Sequence, residues 1–168
     1  MEEIINAERT FAALFREYEQ PICSYLMRMT GDRAHAQDLA QETFIRAYEA
    51  LKQGTELHNP RAWLYRVASR LAIDHHRRRN RRRVTTLPEQ LSGQTEREAE
   101  LLQRLAVQSA LNALHPKYRV PLLLYVYEGW TVLEIAETMQ LSESAVKMRL
   151  SRAREMFRQA YERENEHA

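Results

Sequence analysis

With 168 residues, the chain has room for one ordinary domain or two small ones. Its single cysteine excludes an internal disulfide and any zinc site built from several cysteines. The net charge of +2 conceals two basic islands, +8 over residues 61–83 and +3 over residues 142–154, between mildly acidic flanks. Lys and Arg that neutralise phosphates supply much of nucleic-acid affinity, so two islands suggest two contact points on one polymer. No apolar run reaches signal-peptide or membrane-span length, so membrane insertion is not expected and a reducing, cytoplasmic setting follows as the default.

Glycines and prolines are few, and aliphatic residues recur with a helical period almost throughout, which predicts an all-α protein. A first helix is expected over residues 8–29, its apolar side running from Phe11 and Leu14 to Leu26 and Met29, with Pro21 kinking or dividing it. Cys23 falls within this apolar pattern and reads as a buried structural thiol. Thr30-Gly31-Asp32 is a stop and a restart, Gly31 suiting a C-terminal cap and Asp32 an N-cap. The second helix is expected over residues 33–52, with Leu39, Phe44, Ala47, Tyr48 and Leu51 apolar. Asp38, Gln41, Glu42 and Arg46 then share a polar face that patterning alone leaves as an ordinary solvated one.

After the loop Gly54–His58, Asn59-Pro60 opens a third helix, Asn59 as N-cap and Pro60 in the first turn. Trp63, Leu64, Val67, Ala68 and Leu71 point inward. Arg66, Arg70 and the run Arg77 to Arg83, broken only by Asn80, point elsewhere. Such a run is either a solvated face or a phosphate-binding surface, for which the bidentate arginine fork is suited. Trp63 and Tyr65 fit either core packing or stacking on unpaired bases. His75 and His76 are adjacent, about 100° apart on a helix, with no further ligand at suitable spacing, so no metal site is expected.

Residues 84–97, VTTLPEQLSGQTER, lose the apolar period and read as a flexible linker with little to pack against. A fourth helix is expected over about 97–114, broken by His115-Pro116. An apolar segment over 117–128 contains Pro121, and Gly129 closes it. Residues 131–154, TVLEIAETMQLSESAVKMRLSRAR, predict two short helices joined by a tight turn. Thr131 and Glu134 form a capping box, and Ser142 caps the second helix. Val146, Leu150, Ala153 and Phe157 share its buried face, which turns Ser144, Met148, Ser151 and Arg152 outward, flanked by Lys147 and Arg149. By patterning alone this is either a solvated helical hairpin or a helix-turn-helix whose second helix enters a DNA major groove. No phosphate loop, nucleophile elbow or metalloprotease motif is present, so neither catalysis nor a cofactor is expected.

Four stretches together resemble the sigma-70 family of RNA polymerase sigma factors, in its small extracytoplasmic-function (ECF) group. DLAQETFIRAY is similar to the segment that binds core polymerase, and NPRAWLYRVASRLAIDHHRRR to the helix that engages the −10 element. EIAETMQLSESAVKMRLSRAR is similar to the −35-binding helix-turn-helix, and LNALHPKYRVPLLLYVYEGWTVLEIA matches the part leading into it. The resemblance implies a transcription initiation factor of two small helical domains, residues 1–83 and 98–168, joined by the linker 84–97. It implies that Asp38, Gln41 and Glu42 bind core polymerase. The loop Gly54–Asn59, including Leu57, His58 and Asn59, would capture a flipped −10 base, with Arg66, Arg70, Arg77 and Arg78 on the phosphates. Ser144, Lys147, Met148, Arg149 and Ser151 would read the −35 element, with Arg152 and Arg154 toward its backbone. An apolar patch of the second domain would dock on the polymerase flap. An anti-sigma factor is a further implied partner. Gln140 stands where the family usually has Gly, which requires a left-handed backbone there. Met148 stands where a small polar residue is common, which favours apolar contact such as a thymine methyl. A stand-alone helix-turn-helix regulator and a non-DNA-binding adaptor are the rival readings. Neither has a use for residues 38–48.

Overall fold

The computed structural model describes residues 2–81 and 96–166, and among these it contains seven α-helices and no strand. They are α1 (Glu2–Thr30), α2 (Arg33–Lys52), α3 (Pro60–Arg81), α4 (Glu96–Ala113), α5 (Pro116–Val126), α6 (Val132–Met139) and α7 (Glu143–Glu166). Arg82, Arg83 and nearly all of the expected linker lie outside the described residues.

The helices α1, α2 and α3 form one bundle. Ile22, Tyr25, Leu26 and Met29 of α1 bury against Ala36, Ala40, Phe44 and Ala47 of α2, and Leu64, Ala68 and Ala72 of α3 complete the core. The small residues on α2 let α1 approach closely, while Phe44 fills the space between them. Burying one such ring is worth roughly 1.5–3 kcal/mol. Asp32 caps α2 as expected, its carboxylate accepting from the His35 amide at 3.0 Å. Pro21 does not divide the helix: α1 is continuous through it. Pro21 and Glu17, the residue whose carbonyl is left without its usual partner, are both exposed, so water can satisfy that carbonyl. Immediately beyond, fully buried Ile22 and Tyr25 hold the helix on the bundle. Cys23 is half-buried, because its side of α1 faces a groove; burial, then the nearby Glu19 carboxylate, push its thiol pKa up.

In the second unit α7 is the central helix, packed by α4, α5 and α6. Leu111, Leu114, Val120, Leu123, Leu124, Ile135, Val146, Leu150 and Ala153 make its core. The capping box at Thr131 is formed: the Glu134 amide donates to Thr131 Oγ1 at 3.2 Å, and the Thr131 amide donates to Glu134 Oε2 at 2.7 Å. Gln140 takes the left-handed conformation, φ 56° and ψ 48°, with the Leu141 amide donating to the Ala136 carbonyl at 2.9 Å. Ser142 Oγ then accepts from the Ala145 amide at 3.1 Å and starts α7. This helix runs well past the motif to Glu166, where Ala160 is buried and Phe157 and Tyr161 stack at 5.9 Å.

The linker composition predicts a loose arrangement of the two units; the structure instead packs them together. Arg119 is buried and donates to the Met29 carbonyl across the interface and to the Asn112 and Leu114 carbonyls at 2.8 Å within its own unit. Tyr65 donates its hydroxyl to the Glu128 carboxylate and meets the Trp130 ring edge-on at 5.3 Å. Arg61 donates to the Glu128 carbonyl at 2.7 Å and lies over the Trp130 ring at 4.8 Å. Gln108 Nε2 reaches the Arg28 carbonyl at 3.2 Å, and the Arg28 guanidinium covers the Tyr127 ring at 4.1 Å. No described helix is long and apolar enough to cross a membrane.

Candidate nucleic-acid interface

The exposed face of α7 follows directly from its core face. With Val146, Leu150 and Ala153 buried, Ser144, Lys147, Met148, Ser151 and Arg152 fall at i, i+3, i+4, i+7 and i+8 and are all exposed. This stretch of helix spans about 12 Å, close to the width of a major groove. Met148 is 48% exposed at the centre of this face, an apolar spot among hydrogen-bonding and cationic groups. Arg149 is half-buried on the flank, and the Arg154 guanidinium rests over the Tyr125 ring at 5.2 Å. Two residues that pattern reading missed extend the cationic edge: Tyr118, 3.5 Å from Arg152 Nη1, and Lys117, whose ammonium lies 4.8 Å from the Tyr118 ring. Hydrogen bonds from Arg152 and Lys117 hold the half-buried Tyr118 phenol below its ordinary pKa. The signal for both was present in HPKYR, but the contact spans two helices and has no sequence period.

A second surface is built on α3 and the loop before it. Gly54 has φ +79° and turns the chain out of α2, where the Thr55 amide still donates to the Ala50 carbonyl at 2.9 Å. Asn59 Oδ1 accepts from the Ala62 amide at 3.0 Å, so its side chain is engaged in capping α3. Leu57 is half-buried and His58 is exposed. Loop and helix enclose a cavity of about 380 Å³, lined by residues 55–59, Arg61, Trp63 and Arg66, with Trp130, Glu134 and Glu137 on its far side. Along α3, Arg66, Arg70 and Arg77 share one face at i, i+4 and i+11, and Arg78 is offset by about 100°. Arg70, Arg77 and Arg78 are exposed, and Arg77 lies 3.9 Å from Asp74. The stacking option for Tyr65 is overturned. Its ring is 1% exposed between Tyr25 and Trp130, and burial followed by the Glu128 carboxylate drives its pKa far up. Trp63, half-buried, packs on the core and still borders the cavity.

A third surface lies on α2. Asp38 and Gln41 are exposed, and Glu42 pairs with Arg46 at 2.8 Å. Ile45, 52% exposed, completes an i, i+3, i+4, i+7 patch with them. It escaped the sequence reading, although its place off the core stripe of Leu39 and Phe44 was a usable signal. Of the three surfaces, the one beside the 55–59 loop includes residues of both units.

Residues 14–82 match the sigma-70 region 2 family, and residues 104–157 match the sigma-70 region 4 family. Over 144 residues the chain is 34% identical to the ECF RNA polymerase sigma factor SigL of Mycobacterium tuberculosis, a match covering 82% of this chain and 81% of that one. The chain belongs to the ECF group of the sigma-70 family. The RNA polymerase sigma factor YlaC of Bacillus subtilis is 31% identical over 154 residues, covering 84% of this sigma factor and 86% of that one. In fold, the sigma factor resembles the sigma factor RpoE of Bartonella quintana solved with the anti-sigma factor NepR, at a TM-score of 0.68, 19% identity and coverage of 92% and 98% of the two chains. It also resembles CnrH solved with the cytosolic domain of CnrY, at a TM-score of 0.65 and 23% identity, covering 92% of each chain. As an ECF sigma factor it is a transcription initiation factor, whose partners are core RNA polymerase and promoter DNA.

Proposed function

We propose that the three surfaces divide the work of initiation in this sigma factor. Asp38, Gln41 and Glu42, with Ile45 between them, dock on core polymerase. Leu57, His58 and Asn59 capture an unpaired −10 base, with Arg66, Arg70, Arg77 and Arg78 on the strand. Lys147, Met148, Arg149 and Ser151 read the −35 element beside Ser144, while Arg152 and Arg154 contact its phosphates. Domain bounds of 1–83 and 98–168, with 84–97 as linker, fit the family matches, which end at residue 82 and resume at residue 104. The observation that carries the reading is the exposed α7 face, where serines, cations and one methionine line a strip of major-groove length. The protein works beside polymerase in the cytoplasm and has no catalytic activity of its own. An anti-sigma factor holds it in reserve, a reading supported by the similarly folded sigma factor RpoE, solved with the anti-sigma factor NepR.

Run-off transcription with purified core polymerase on genomic fragments tests this reading. New discrete start sites should appear with the protein and vanish with an Asp38→Arg/Glu42→Arg variant. Specific binding to a palindrome by the protein alone, without new starts, would replace it with a stand-alone regulator.

A further inference from the structure

The start of α5 meets the edge of the α7 strip at Lys117, Tyr118 and Arg152, and two of these three have no role so far. Pro116, Arg119 and Val120 bury one side of α5, at i, i+3 and i+4, which leaves Lys117 exposed and Tyr118 at the boundary. The Tyr118 ring packs on the core, so its hydroxyl is held at one place on the surface. Two cations converge on this side chain from different helices. Arg152 Nη1 of α7 lies 3.5 Å from the phenol oxygen, and the Lys117 ammonium lies 4.8 Å from the ring centre.

Neither Lys117 nor Arg152 pairs with a carboxylate among the described residues. Glu155, one turn on from Arg152, is taken by Arg158 Nη2 at 2.9 Å and Gln159 Nε2 at 2.6 Å. Arg158 also lies 3.7 Å from Glu162. The far part of α7 thus supplies counter-ions to its own cation, and Arg152 has none. Two like charges gathered on one side chain repel, and an outside anion removes that cost. Both cations donate toward the phenol oxygen, and those hydrogen bonds hold its pKa below the ordinary value. The oxygen's lone pairs are thereby engaged, and its own O–H is left to donate outward. Guanidinium, ammonium and hydroxyl together make a donor set suited to a phosphate.

We propose that Lys117, Tyr118 and Arg152 form a cradle for one backbone phosphate of promoter DNA, at the edge of the −35 element. Arg152 ends the outward strip of α7, one residue after Ser151, so a duplex seated on that strip brings its backbone to the cradle. The grip comes from α5 as well as α7. It fixes where the recognition helix sits along the groove, through a contact that carries no sequence information of its own. The proposal rests on the reading of α7 given above and adds Lys117 and Tyr118 to it.

The test uses holoenzyme assembled with the full chain, bound to a duplex carrying a promoter located by run-off transcription. Phosphates around the −35 element are replaced one at a time by uncharged methylphosphonate. For the wild type, one replacement at the edge of the element should weaken binding about ten-fold, the loss expected when charge-assisted hydrogen bonds go. Lys117→Ala/Tyr118→Phe should bind the unmodified duplex about ten-fold more weakly and lose most of its sensitivity to that one replacement, as a coupled pair must. Tyr118→Phe alone keeps the ring and should lose part of it. Lys147→Ala should weaken binding yet keep the sensitive phosphate. A sensitive phosphate that persists at full strength in the double variant overturns the cradle, as does the absence of one while the −35 bases are still protected; both outcomes leave the reading of α7 standing. No start sites, or no protection of a −35 element by the wild type, would strike that reading and the cradle together.

Discussion

Replacing Gln140 by glycine should stabilise the protein while leaving its promoter choice alone. Gln140 is the one non-glycine residue of the described chain with positive φ. A left-handed backbone costs an L-residue roughly 1–2 kcal/mol, because Cβ crowds the following carbonyl oxygen. Glycine escapes that cost but brings a more disordered unfolded chain, worth about 0.4–1 kcal/mol in the other direction. The Gln140 side chain is exposed, so its removal forfeits no buried packing. The net gain is therefore about 0.5–1 kcal/mol, or a rise of about 2–6 °C in Tm for a cooperative unit of this size. Gln140→Val should do the reverse by a similar amount, since a β-branched residue is the worst occupant of that region. Thermal melts by circular dichroism give the three Tm values. Both backbone hydrogen bonds that set the α6–α7 angle, from Gln140 and Leu141 to the Ala136 carbonyl, are open to either substitute, so start sites in run-off transcription should be unchanged for glycine. A glycine variant that melts lower than wild type, or a valine variant that melts the same, would refute the strain argument.

Thr131→Ala removes the hydroxyl that accepts from the Glu134 amide, leaves the backbone half of the capping box in place, and should cost about 1 kcal/mol, read as a lower Tm and weaker protection of the α6 amides in hydrogen exchange. Arg152→Ala/Arg154→Ala should weaken holoenzyme binding across promoters and flatten its dependence on log salt by about 0.9 for each phosphate no longer neutralised. Acid should destabilise the domain interface. Burial first, then Arg119, His115, His75 and Arg79, hold His76 below the ordinary imidazole pKa; burial, Lys117 and Arg119 do so for His115. The fold thus favours the neutral rings, and the stability they contribute is complete above the unfolded pKa of 6.5 and disappears as pH falls through the lower folded values. His115 Nδ1 also accepts from the Lys117 amide at 3.2 Å, a cap that protonation there would break. Tm should drop between about pH 7.5 and 5.5, and His115→Asn, which can still cap α5, should flatten that drop.

Within each domain the fold was legible because its determinants are local. The bounds of α2 and the caps at Asp32, Asn59, Thr131 and Ser142 follow from residue types at fixed offsets, whereas the left-handed turn at Gln140 was legible only through the family resemblance. The outward strip of α7 was legible for the same reason: a buried face with a period of 3.6 leaves one opposite face. Of the two outcomes expected at Pro21, division does not occur, because tertiary packing of Ile22 and Tyr25 carries the helix past it. The domain interface was illegible for a deeper reason. Tyr65, Trp130 and Arg119 are buried across the interface by one another's units, so no periodicity in either segment records the partner. Arg119 is the sharpest case. In KYRVPLLL a charged residue ahead of an apolar run reads as a surface position, yet it is 3% exposed. Its guanidinium can be buried only because three carbonyls converge on it, and one of them, at Met29, belongs to the other domain. A cation whose solvation depends on a carbonyl 90 residues away ties the stability of the region 4 domain to its position on region 2. Whatever separates the domains must also rehydrate Arg119, and that coupling is set by the fold rather than by any motif.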